Sequence, residues 1–426
     1  MNFKAPRGTA DVLPDDQPFW RLVDGAAART ASLFGYRKID TPLFEDTRLF
    51  QRGVGEDTDI VEKEMYTFGD RGGDSLTLKP EGTAPVCRAY LENGMANLPQ
   101  PVRLYYLTPI FRYDRPQAGR YRQHHQFGVE AIGDGSPTVD AEIIELGWSY
   151  VTSLGLGGLT LKVNSIGDRV CRPPYREALK RYFGEHVKDM CRDCKSRFQR
   201  NPLRLLDCKN ESCVPFGDAA PRATDYLCAP CGEHWQELQG LLADLKRVYP
   251  GLEPQLDHRL VRGLDYYTRT VFEIQPPLEG GQSTLLGGGR YDGLMEQLGG
   301  PPTPGIGFGC GRERLIMNLR RQEVKGQTDA APAVVAVHVG DAARRRAYVT
   351  VAALRAGGIA ALVAPPGRSV KGQMRFADSS GARYVLVIGD RELERGVATL
   401  KPLTGDGQRE VALDPHEIAD ALKQGL

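Results

Sequence analysis

The 426-residue sequence has no apolar run that approaches the ~20 residues a helix needs to cross a bilayer. Its opening segment, MNFKAPRGTADVLP, also lacks the apolar stretch of a secretory signal. These absences argue against a membrane-spanning or exported protein. We therefore expect a cytoplasmic chain that has no membrane partner.

An excess of either charge is also missing. Lys and Arg number 55 and Asp and Glu number 54, which gives a net charge of +1. A strongly basic balance is the usual electrostatic mark of a nucleic-acid-binding protein, so any RNA contact must come from local patches. The length predicts two or three domains with sizeable cores.

The most informative segment is FRYDRPQAGRYRQHHQFGVEAIG, from Phe111 to Gly133. Two apolar, β-prone runs flank a Pro/Gly loop, which predicts a hairpin. Guanidinium groups bind phosphate oxygens bidentately, and the loop has four of them, on Arg112, Arg115, Arg120 and Arg122. The exit strand alternates, so its polar face carries His124, Gln126, Gly128 and Glu130. Its apolar face carries Phe127, Val129 and Ala131.

Several motifs in this sequence resemble those of a known family. FR-x-[DE] followed by H-x-F-G-x-E resembles motif 2 of the class II aminoacyl-tRNA synthetases, and RPQ-x-GRYRQ-x-HQ-x-GVE resembles the histidyl-tRNA synthetases in particular. Other matching segments extend this over nearly the whole chain: RGTADVLP, KIDTPLFED, TLKPEGTAPVCRAY, VRGLDYYTRTVFEI, GGGRYDGLMEQLGG and GIGFGCGRERL. The resemblance implies an α/β (α+β) fold, with an antiparallel-sheet catalytic domain, a helical insertion and a small C-terminal α/β domain.

The same family resemblance implies the domain boundaries. The catalytic domain is expected at 1–325, its helical insertion at about 170–255, and an anticodon-binding α/β domain at 331–426. In the family, a helix here at Pro18–Phe34 and the strand-like YRKIDTPLFE form motif 1, which implies a homodimer with Pro42 in its interface. The charged stretch Asp57–Thr77 predicts a mobile flap. Short apolar runs after residue 333 alternate with helical patterns and predict a mostly parallel sheet.

The family substrate would be L-histidine, which presents an ammonium, a carboxylate and an imidazole. Glu81 and Glu130 are candidates for holding the ammonium and a ring N–H, with Gln126 and Thr83 adding hydrogen bonds. Tyr266 and Tyr267 belong to a strand-like segment, so we expect one to line the pocket and the other to pack away from it. The full histidine-binding set is Glu81, Gly82, Thr83, Arg112, Gln126, Glu130, Arg262, Tyr266 and Tyr267.

ATP, accompanied by magnesium, would be the second substrate. The resemblance implies three catalytic arginines: Arg112 bridging carboxylate and α-phosphate, Arg262 as a fixed cation near the reacting phosphate, and Arg314 at the γ-phosphate end. The expected ATP-binding set is Arg112, Asp114, Arg120, His124 and Arg314. Three positions depart from the family pattern, namely Asp114 for the usual Glu, His124 for Phe and Arg312 for Leu.

The third partner implied is tRNA(His). Loop residues Arg115, Gln117 and Arg120 are candidates for meeting its acceptor end. Basic residues of the distal domain are candidates for phosphate or anticodon contacts, namely Arg344, Arg345, Arg346, Arg368 and Lys371. A solvated basic helix face is the alternative reading of those five.

Nine cysteines are present, seven of them between Cys171 and Cys231. Two C-x-x-C pairs have zinc-ligand spacing and predict one structural site formed by Cys191, Cys194, Cys228 and Cys231. Reduced, partly buried thiols are an equal alternative, and the family resemblance does not supply a zinc.

Two other functions remain open at this stage. The first is the histidine-binding regulatory paralogue of ATP phosphoribosyltransferase, which typically lacks the C-terminal domain and the arginine equivalent to Arg262. The second is an RNA-binding or sensor module without aminoacylation activity. Intact Arg112, Arg262 and Arg314 argue against both, because binding alone does not require three cations directed at a polyphosphate.

Overall fold

A computed structural model describes residues 3–54, 60–116, 119–277, 284–327, 331–405 and 407–424. The chain divides into two compact units, Met1–Gln327 and Thr328–Leu426. Within the described ranges, no helix combines the length and apolar character needed to cross a membrane.

The first unit combines eleven described strands with ten described α-helices. The strands are β1 (Arg37–Lys38), β2 (Phe44–Asp46), β3 (Tyr66–Gly69), β4 (Ser75–Leu78), β5 (Val102–Phe111), β6 (Gln123–Ile132), β7 (Thr160–Ser165), β8 (Pro254–Leu256), β9 (Thr268–Gln275), β10 (Leu286–Arg290) and β11 (Gly305–Gly311). The helices are α1 (Gln17–Leu33), α2 (Thr47–Val54), α3 (Thr83–Glu92), α4 (Pro137–Ser153), α5 (Arg172–His186), α6 (Arg192–Arg200), α7 (Val214–Asp218), α8 (Ala229–Leu245), α9 (Leu294–Gln297) and α10 (Arg312–Arg321).

Eight strands form one sheet in the order β1-β5-β6-β11-β10-β9-β7-β8. Every pair from β5 to β7 is antiparallel, and only the two edge pairs are parallel. The predicted hairpin is confirmed, because β5 and β6 pair from Val102↔Ile132 to Phe111↔Gln123. The predicted antiparallel-sheet core with a helical insertion is likewise confirmed.

One sequence prediction near the N-terminus is wrong. The segment YRKIDTPLFE does not form one strand, since β1 joins the large sheet whereas β2 joins a separate sheet ordered β2-β4-β3. Pro42 lies between them, where its missing N–H would break a continuous ladder. The stretch predicted as a mobile flap contains β3, which pairs with β4, and its mobility stays a prediction. Asp57, Thr58 and Asp59 lie outside the described residues.

One apolar core lies between the large sheet and the helices α1, α4, α8 and α10. Phe127, on the apolar face predicted for the hairpin, is fully buried there and contacts Tyr150 and Phe308 edge-on, with ring centroids 4.7 and 5.6 Å apart. The opposite face of β6 is therefore left for the polar side chains. The insertion expected at about 170–255 contains α5 to α8, and the sheet resumes with β8 at Pro254.

A buried ion pair fastens α4 to β10. Arg290 and Asp140 are both fully buried, and the Arg290 Nε donates to Asp140 Oδ1 at 3.0 Å. The guanidinium also donates to the Asp134 carbonyl at 3.1 Å and to Asp292 Oδ1 at 2.9 Å. This network satisfies the arginine in a region without solvent, so losing its main partner would leave a buried charge uncompensated.

We predict that Asp140→Ala lowers the free energy of unfolding by about 3–5 kcal/mol, because it leaves the buried Arg290 charge without its main counter-ion. Urea unfolding followed by tryptophan fluorescence measures this in the first unit alone, since Trp20, Trp148 and Trp235 all lie there. The matched variant Asp292→Asn, which alters the more exposed partner, should cost less than half as much. Equal losses in the two variants would contradict the assignment of Asp140 as the main counter-charge.

The second unit has five described strands, β12 (Val334–His338), β13 (Ala361–Val363), β14 (Tyr384–Ile388), β15 (Val397–Pro402) and β16 (Arg409–Ala412). Its helices are α11 (Asp341–Ala356), α12 (Val370–Ser379), α13 (Asp390–Glu394) and α14 (Pro415–Gln424). The sheet order is β13-β12-β14-β15-β16; the first three strands are parallel and the last two add antiparallel pairs. The predicted small α/β domain is confirmed, with a sheet that is mixed rather than mostly parallel.

Candidate active site

Glycines on β11 make room for two predicted site residues on β6. A Cβ at Gly307 would lie 2.0 Å from Glu130 Oε2, and one at Gly309 would lie 2.1 Å from Gln126 Nε2. Both side chains therefore lie flat across the neighbouring strand. In the structure, the space that these glycines leave is filled by the side chains that form the pocket.

Glu130 is a carboxylate with no solvent exposure. Its Oε1 accepts from Thr83 Oγ1 at 2.8 Å and from the Tyr106 hydroxyl at 3.1 Å, and its Oε2 accepts from the Tyr291 hydroxyl at 2.7 Å. Burial raises the pKa of Glu130 to about 8, although the hydroxyls of Tyr291 and Thr83 oppose that rise. A single buried acid thus accepts hydrogen bonds from three different parts of the chain.

Tyr106 fits under this carboxylate because two glycines face its ring. A Cβ at Gly82 or at Gly128 would approach the ring to 2.4 or 2.2 Å. Gly82, predicted among the histidine-binding residues, therefore has an identifiable packing role. The Gln126 side-chain amide donates weakly to the same Tyr106 hydroxyl, at 3.4 Å.

Glu81 lies at the start of α3, and its carboxylate accepts the backbone N–H groups of Thr83 at 2.8 Å and Ala84 at 2.7 Å. It is 3% exposed, and burial raises its pKa against the effect of those N–H donors. Thr83 is the first residue of α3, and its Oγ1 donates to Glu130 rather than capping the helix. Glu81 combines the position of a helix-start acid with a place in the pocket, where the Tyr266 hydroxyl reaches it at 3.4 Å.

The two tyrosines do not face opposite ways, so that prediction is wrong. The ring centroids of Tyr266 and Tyr267 are 4.8 Å apart, and both rings are buried. The reason is that they precede β9 in a turn, and strand alternation does not apply there. Tyr266 also contacts Tyr291 edge-on, at 5.9 Å, so the pocket beside Glu81 and Glu130 is lined by aromatic rings.

We predict that Glu130→Gln stabilises the fold increasingly as the pH rises. An acid whose folded pKa is about 8, against an ordinary value of about 4.3, keeps its proton more tightly when folded. The wild-type free energy of unfolding must then fall between those pH values, and glutamine removes the loss. Tryptophan-monitored urea unfolding should show Glu130→Gln gaining on the order of 2–4 kcal/mol between pH 5 and pH 8.5.

Above pH 8, where the wild-type acid is ionised, the same variant should bind histidine roughly 10- to 100-fold more weakly, because a charge-assisted contact is lost. Glu237→Gln, an exposed position on α8, should change neither quantity. A Glu130→Gln stability difference that is independent of pH would refute the proposed proton on this acid.

Arg112 lies where the hairpin strand β5 ends, and its Nε donates to the Pro80 carbonyl at 2.7 Å. His124, half-buried on β6, has its pKa lowered to about 4 by burial and then by the charge of Arg112. The imidazole is therefore neutral near pH 7, which suits a ring that is expected to stack on adenine. The charges of Glu313, His125 and Arg314 also act on it, which puts Arg112 and Arg314 around one ring.

Arg262 and Arg314 are joined through two residues that the sequence analysis did not select. The Arg262 guanidinium forms an ion pair with Glu273 on β9, and Glu273 Oε2 accepts from Thr284 Oγ1 at 2.6 Å. The Thr284 carbonyl in turn accepts from Arg314 Nη1 at 2.8 Å. Burial would raise the pKa of Glu273, but Arg262 holds it below its ordinary value. An acid within the apolar run TVFEI was the available signal for Glu273.

Gly287 on β10 allows Arg262 to reach this position, because a Cβ there would lie 2.5 Å from its Nη1. A Cβ at Gly289, two residues further along β10, would lie 2.9 Å from the Tyr267 ring. These two glycines of β10 thus leave space for the side chains of Arg262 and Tyr267.

The loop of the hairpin contacts α10 as well as itself. Arg314 Nη2 donates to the Gly119 carbonyl at 3.1 Å, and Arg120 pairs with Asp114 at 3.1 Å. Asp114 Oδ1 also accepts the Arg115 N–H at 2.7 Å. The structure thus brings Asp114, Arg120 and Arg314 together with Arg112 and His124. Gln117 lies outside the described residues.

Two further residues of α10 have structural partners. Arg312, for which the sequence offered no account, pairs with Asp24 and lies over the Trp20 ring of α1, 4.9 Å from its centroid. Glu313 accepts the His125 backbone N–H at 2.9 Å and contacts His125 Nδ1 at 2.8 Å. These contacts fix the first turn of α10 and hence the direction in which Arg314 leaves it.

The cysteines do not form the predicted single site. Cys191 and Cys194 lie with Cys208 and Cys213, whereas Cys228 and Cys231 lie with Cys171 and Asp168. The grouping of Cys191, Cys194, Cys228 and Cys231 is therefore wrong, because each pair opens a different helix, α6 or α8. Asp168-x-x-Cys171 repeats the two-residue spacing and was the signal that sequence reasoning missed.

Among the distal basic residues, Arg346 donates to the Leu413 carbonyl and so has a structural contact. Arg344 pairs with Asp341 at 3.2 Å on an exposed helix surface. Arg345, Arg368 and Lys371 are also exposed.

An antiparallel sheet carrying a motif 2 hairpin, with basic side chains around its cleft, defines the catalytic domain of a class II aminoacyl-tRNA synthetase. The family model described as histidyl-tRNA synthetase matches residues 8–172 and 199–315, and that described as an anticodon binding domain matches 333–424. The chain belongs to the histidyl-tRNA synthetase family.

Individual relatives agree with this assignment. The chain is 53% identical to a histidine–tRNA ligase of Dehalococcoides mccartyi over 99% of this chain and 100% of that protein. It is 48% identical to one of Desulforamulus reducens over 96% of each. The apo histidyl-tRNA synthetase structure from S. aureus is 39% identical and superposes with a TM-score of 0.81, covering 98% of this chain and 99% of that one.

Proposed function

We propose that the protein is an ATP-dependent ligase that joins L-histidine to the 3′ end of tRNA(His). Histidine and ATP first form histidyl-adenylate and pyrophosphate, and the histidyl group then passes to the terminal ribose. The observation that supports the proposal is the pair of buried carboxylates, Glu81 and Glu130, beside buried tyrosine rings. Arg112 contacts the Pro80 carbonyl next to Glu81, and Arg262 and Arg314 are linked through Glu273 and Thr284.

In the first step a carboxylate oxygen of histidine attacks the α-phosphorus, and the bond to the β-phosphate oxygen breaks. The protein does little covalent work in such a displacement, so positioning and charge neutralisation dominate. Arg112 bridges the carboxylate and the α-phosphate, Arg262 offsets charge on the reacting phosphate, and Arg314 holds the γ-phosphate end. Magnesium enters with ATP as its counter-ion.

The buried acids select the amino acid. Glu81 and Glu130 offer acceptors for an ammonium and a ring N–H, and the rings of Tyr266 and Tyr291 enclose the imidazole. An amino acid without N–H groups at those places would leave buried carboxylates unpaired, and such mismatches are discriminated by ~10⁴-fold or more. Gln126 and Thr83 complete the expected contacts.

The regulatory-paralogue alternative has less support. A structure described as an ATP phosphoribosyltransferase regulatory subunit/histidyl-tRNA synthetase from Bacillus halodurans shares the fold, with a TM-score of 0.65 and 24% identity over 91% of this chain and 99% of that one. The present chain has Arg262 in contact with Glu273 and a C-terminal unit that matches an anticodon binding domain, the two features that the paralogue typically lacks.

For the second step, the acceptor end of tRNA approaches the loop that carries Arg115 and Arg120. A groove of about 1010 Å³ between α5 and Tyr266 adds basic side chains from Arg169, Arg172, Arg176 and Lys180. Exposed Arg345, Arg368 and Lys371 in the second unit are the candidates for more distant RNA contacts.

We also propose a cytoplasmic homodimer. Motif 1 forms the dimer interface in the family, and in this chain it leaves Leu33, Leu43 and Phe44 exposed by 84%, 43% and 50%. Apolar side chains of that size, near a short edge strand, suit a surface covered by a second copy.

The decisive experiment for the function is ATP–pyrophosphate exchange with each amino acid in turn, followed by charging of tRNA(His). Exchange that depends on histidine alone, with transfer to tRNA, is expected. A protein that binds histidine but supports no exchange would be the regulatory paralogue or a sensor.

We predict that Arg262→Ala lowers the exchange rate by on the order of 10³–10⁵-fold, because a fixed cation at a transferring phosphoryl group has effects of that size. Histidine affinity, measured by calorimetry, should change by less than about tenfold, since ground-state binding rests on the two acids and the tyrosines.

Glu273→Gln is the matched control, because it removes the partner charge while keeping hydrogen bonds to Thr284 and Gln275. If Arg262 served only the ion pair, both variants would lose activity equally. A catalytic arginine predicts a much larger loss in Arg262→Ala.

Arg314→Ala should raise the KM for ATP by roughly 10- to 100-fold, because one charge-assisted contact is removed. Arg320→Ala, on the same helix but half exposed and paired with Asp16, should leave it unchanged. The steady-state rate of ATP–pyrophosphate exchange, measured at varied ATP concentration, tests this prediction. An unaltered KM in Arg314→Ala would remove this residue from the nucleotide site.

A further inference from the structure

Four cysteine sulfurs converge at the centre of the insertion. Cys191 and Cys194 belong to the first turn of α6, and Cys208 and Cys213 come from the following loop. Their sulfurs lie within 4.8 Å of one another, and the Cys191–Cys208 separation is 3.8 Å. We call this group the Cys194 cluster.

A second group has the same form with one carboxylate. Cys228 and Cys231 lie at the start of α8, Cys171 precedes α5, and Asp168 follows β7. One oxygen of Asp168 and the three sulfurs lie within 4.8 Å of one another. Asp168 Oδ1 accepts the N–H groups of Val170 at 2.8 Å and Cys171 at 3.2 Å, which leaves Oδ2 available. We call this group the Cys231 cluster.

The spacing of both clusters is that of a tetrahedral metal site. Zinc–sulfur bonds of about 2.3 Å in a tetrahedron give sulfur–sulfur edges of about 3.8 Å. None of the nine cysteines is in a disulfide in the structure. If these thiols were only packed in the interior and bound no metal, nothing would require sulfur or oxygen atoms from separate segments to converge at this distance. The structure shows this convergence twice.

Backbone groups around both clusters also favour thiolates. The Cys191 N–H donates to Cys213 Sγ at 3.1 Å, and the Cys228 N–H donates to Cys171 Sγ at 3.1 Å. In each case the first cysteine of a C-x-x-C pair directs its N–H to a sulfur from another segment. Hydrogen bonds of this kind orient ligand atoms and offset their negative charge.

We propose that the insertion holds two structural zinc ions, one bound by Cys191, Cys194, Cys208 and Cys213 and the other by Asp168, Cys171, Cys228 and Cys231. Thiolates select zinc over the harder divalent cations. Each ion has four protein ligands, so neither site has an open position for substrate and neither takes part in the reaction.

The two clusters flank the segment that carries Arg262 and the tyrosines. The Cys208 carbonyl accepts from Arg259 Nη2 at 3.1 Å on one side. On the other side, the Gly167 carbonyl, next to Asp168, accepts the Arg269 N–H at 2.7 Å. The zinc ions therefore hold both ends of the segment from residue 259 to residue 269.

Metal analysis of the full-length, reduced protein tests the proposal. We expect two equivalents of zinc per folded chain. Cys194→Ser and Cys231→Ser should each retain one equivalent, and the double variant should retain none. Cys87→Ser and Cys310→Ser, which alter buried cysteines outside both clusters, should keep two.

Under half an equivalent in folded wild-type protein would overturn the proposal. Loss of all zinc in either single variant would also overturn it, since that is the result for one shared site. Where a variant fails to fold, zinc X-ray absorption of the wild type decides. Sulfur with a minor oxygen contribution supports two sites of these compositions, whereas a shell with nitrogen or mainly oxygen excludes them.

Discussion

The candidate active site depends on one buried carboxylate. Glu130 is held without solvent by three hydroxyls, and each comes from a different part of the chain: Thr83 at the start of α3, Tyr106 on β5 and Tyr291 after β10. Burying an acid is unfavourable unless donors surround it. A ligand that brings an N–H group into the pocket would give this carboxylate a further hydrogen-bond donor, which the protein alone does not supply. Such a ligand would offset part of the cost of burial. Strain of this kind is expected where function rather than stability is selected.

The position of that carboxylate requires glycine at three neighbouring backbone positions, because a Cβ there would occupy the space that it or the Tyr106 ring needs. Gly307 clears the space for Glu130 across the strand, and Gly82 and Gly128 clear it for the Tyr106 ring beneath. A Cβ at any of the three would overlap the neighbouring side chain, so the strands could not keep this register. The Gly-rich segments of the sequence are in this sense part of the pocket, although they contribute no hydrogen-bonding side chain to it.

Local pattern was sufficient to predict the hairpin and its polar face, because strand alternation needs only adjacent residues. It failed at Tyr266 and Tyr267, where a turn replaces the expected strand. It also failed for the cysteines, because spacing identifies C-x-x-C pairs but not which segments fold against each pair. Glu273 was missed for a related reason, since its importance comes from Arg262 across a sheet rather than from its neighbours in sequence.

In the proposed nucleotide site, Glu273 gives the arginines a defined resting state. A largely buried guanidinium without a counter-charge would be costly, and Glu273 supplies that charge. Because Glu273 is also linked through Thr284 to the backbone contact of Arg314, the cations would be positioned before ATP arrives. ATP would then add a second anion to an arginine that is already paired. The preorganised arrangement lowers the reorganisation needed at the moment of reaction, which is how fixed charges accelerate phosphoryl displacement.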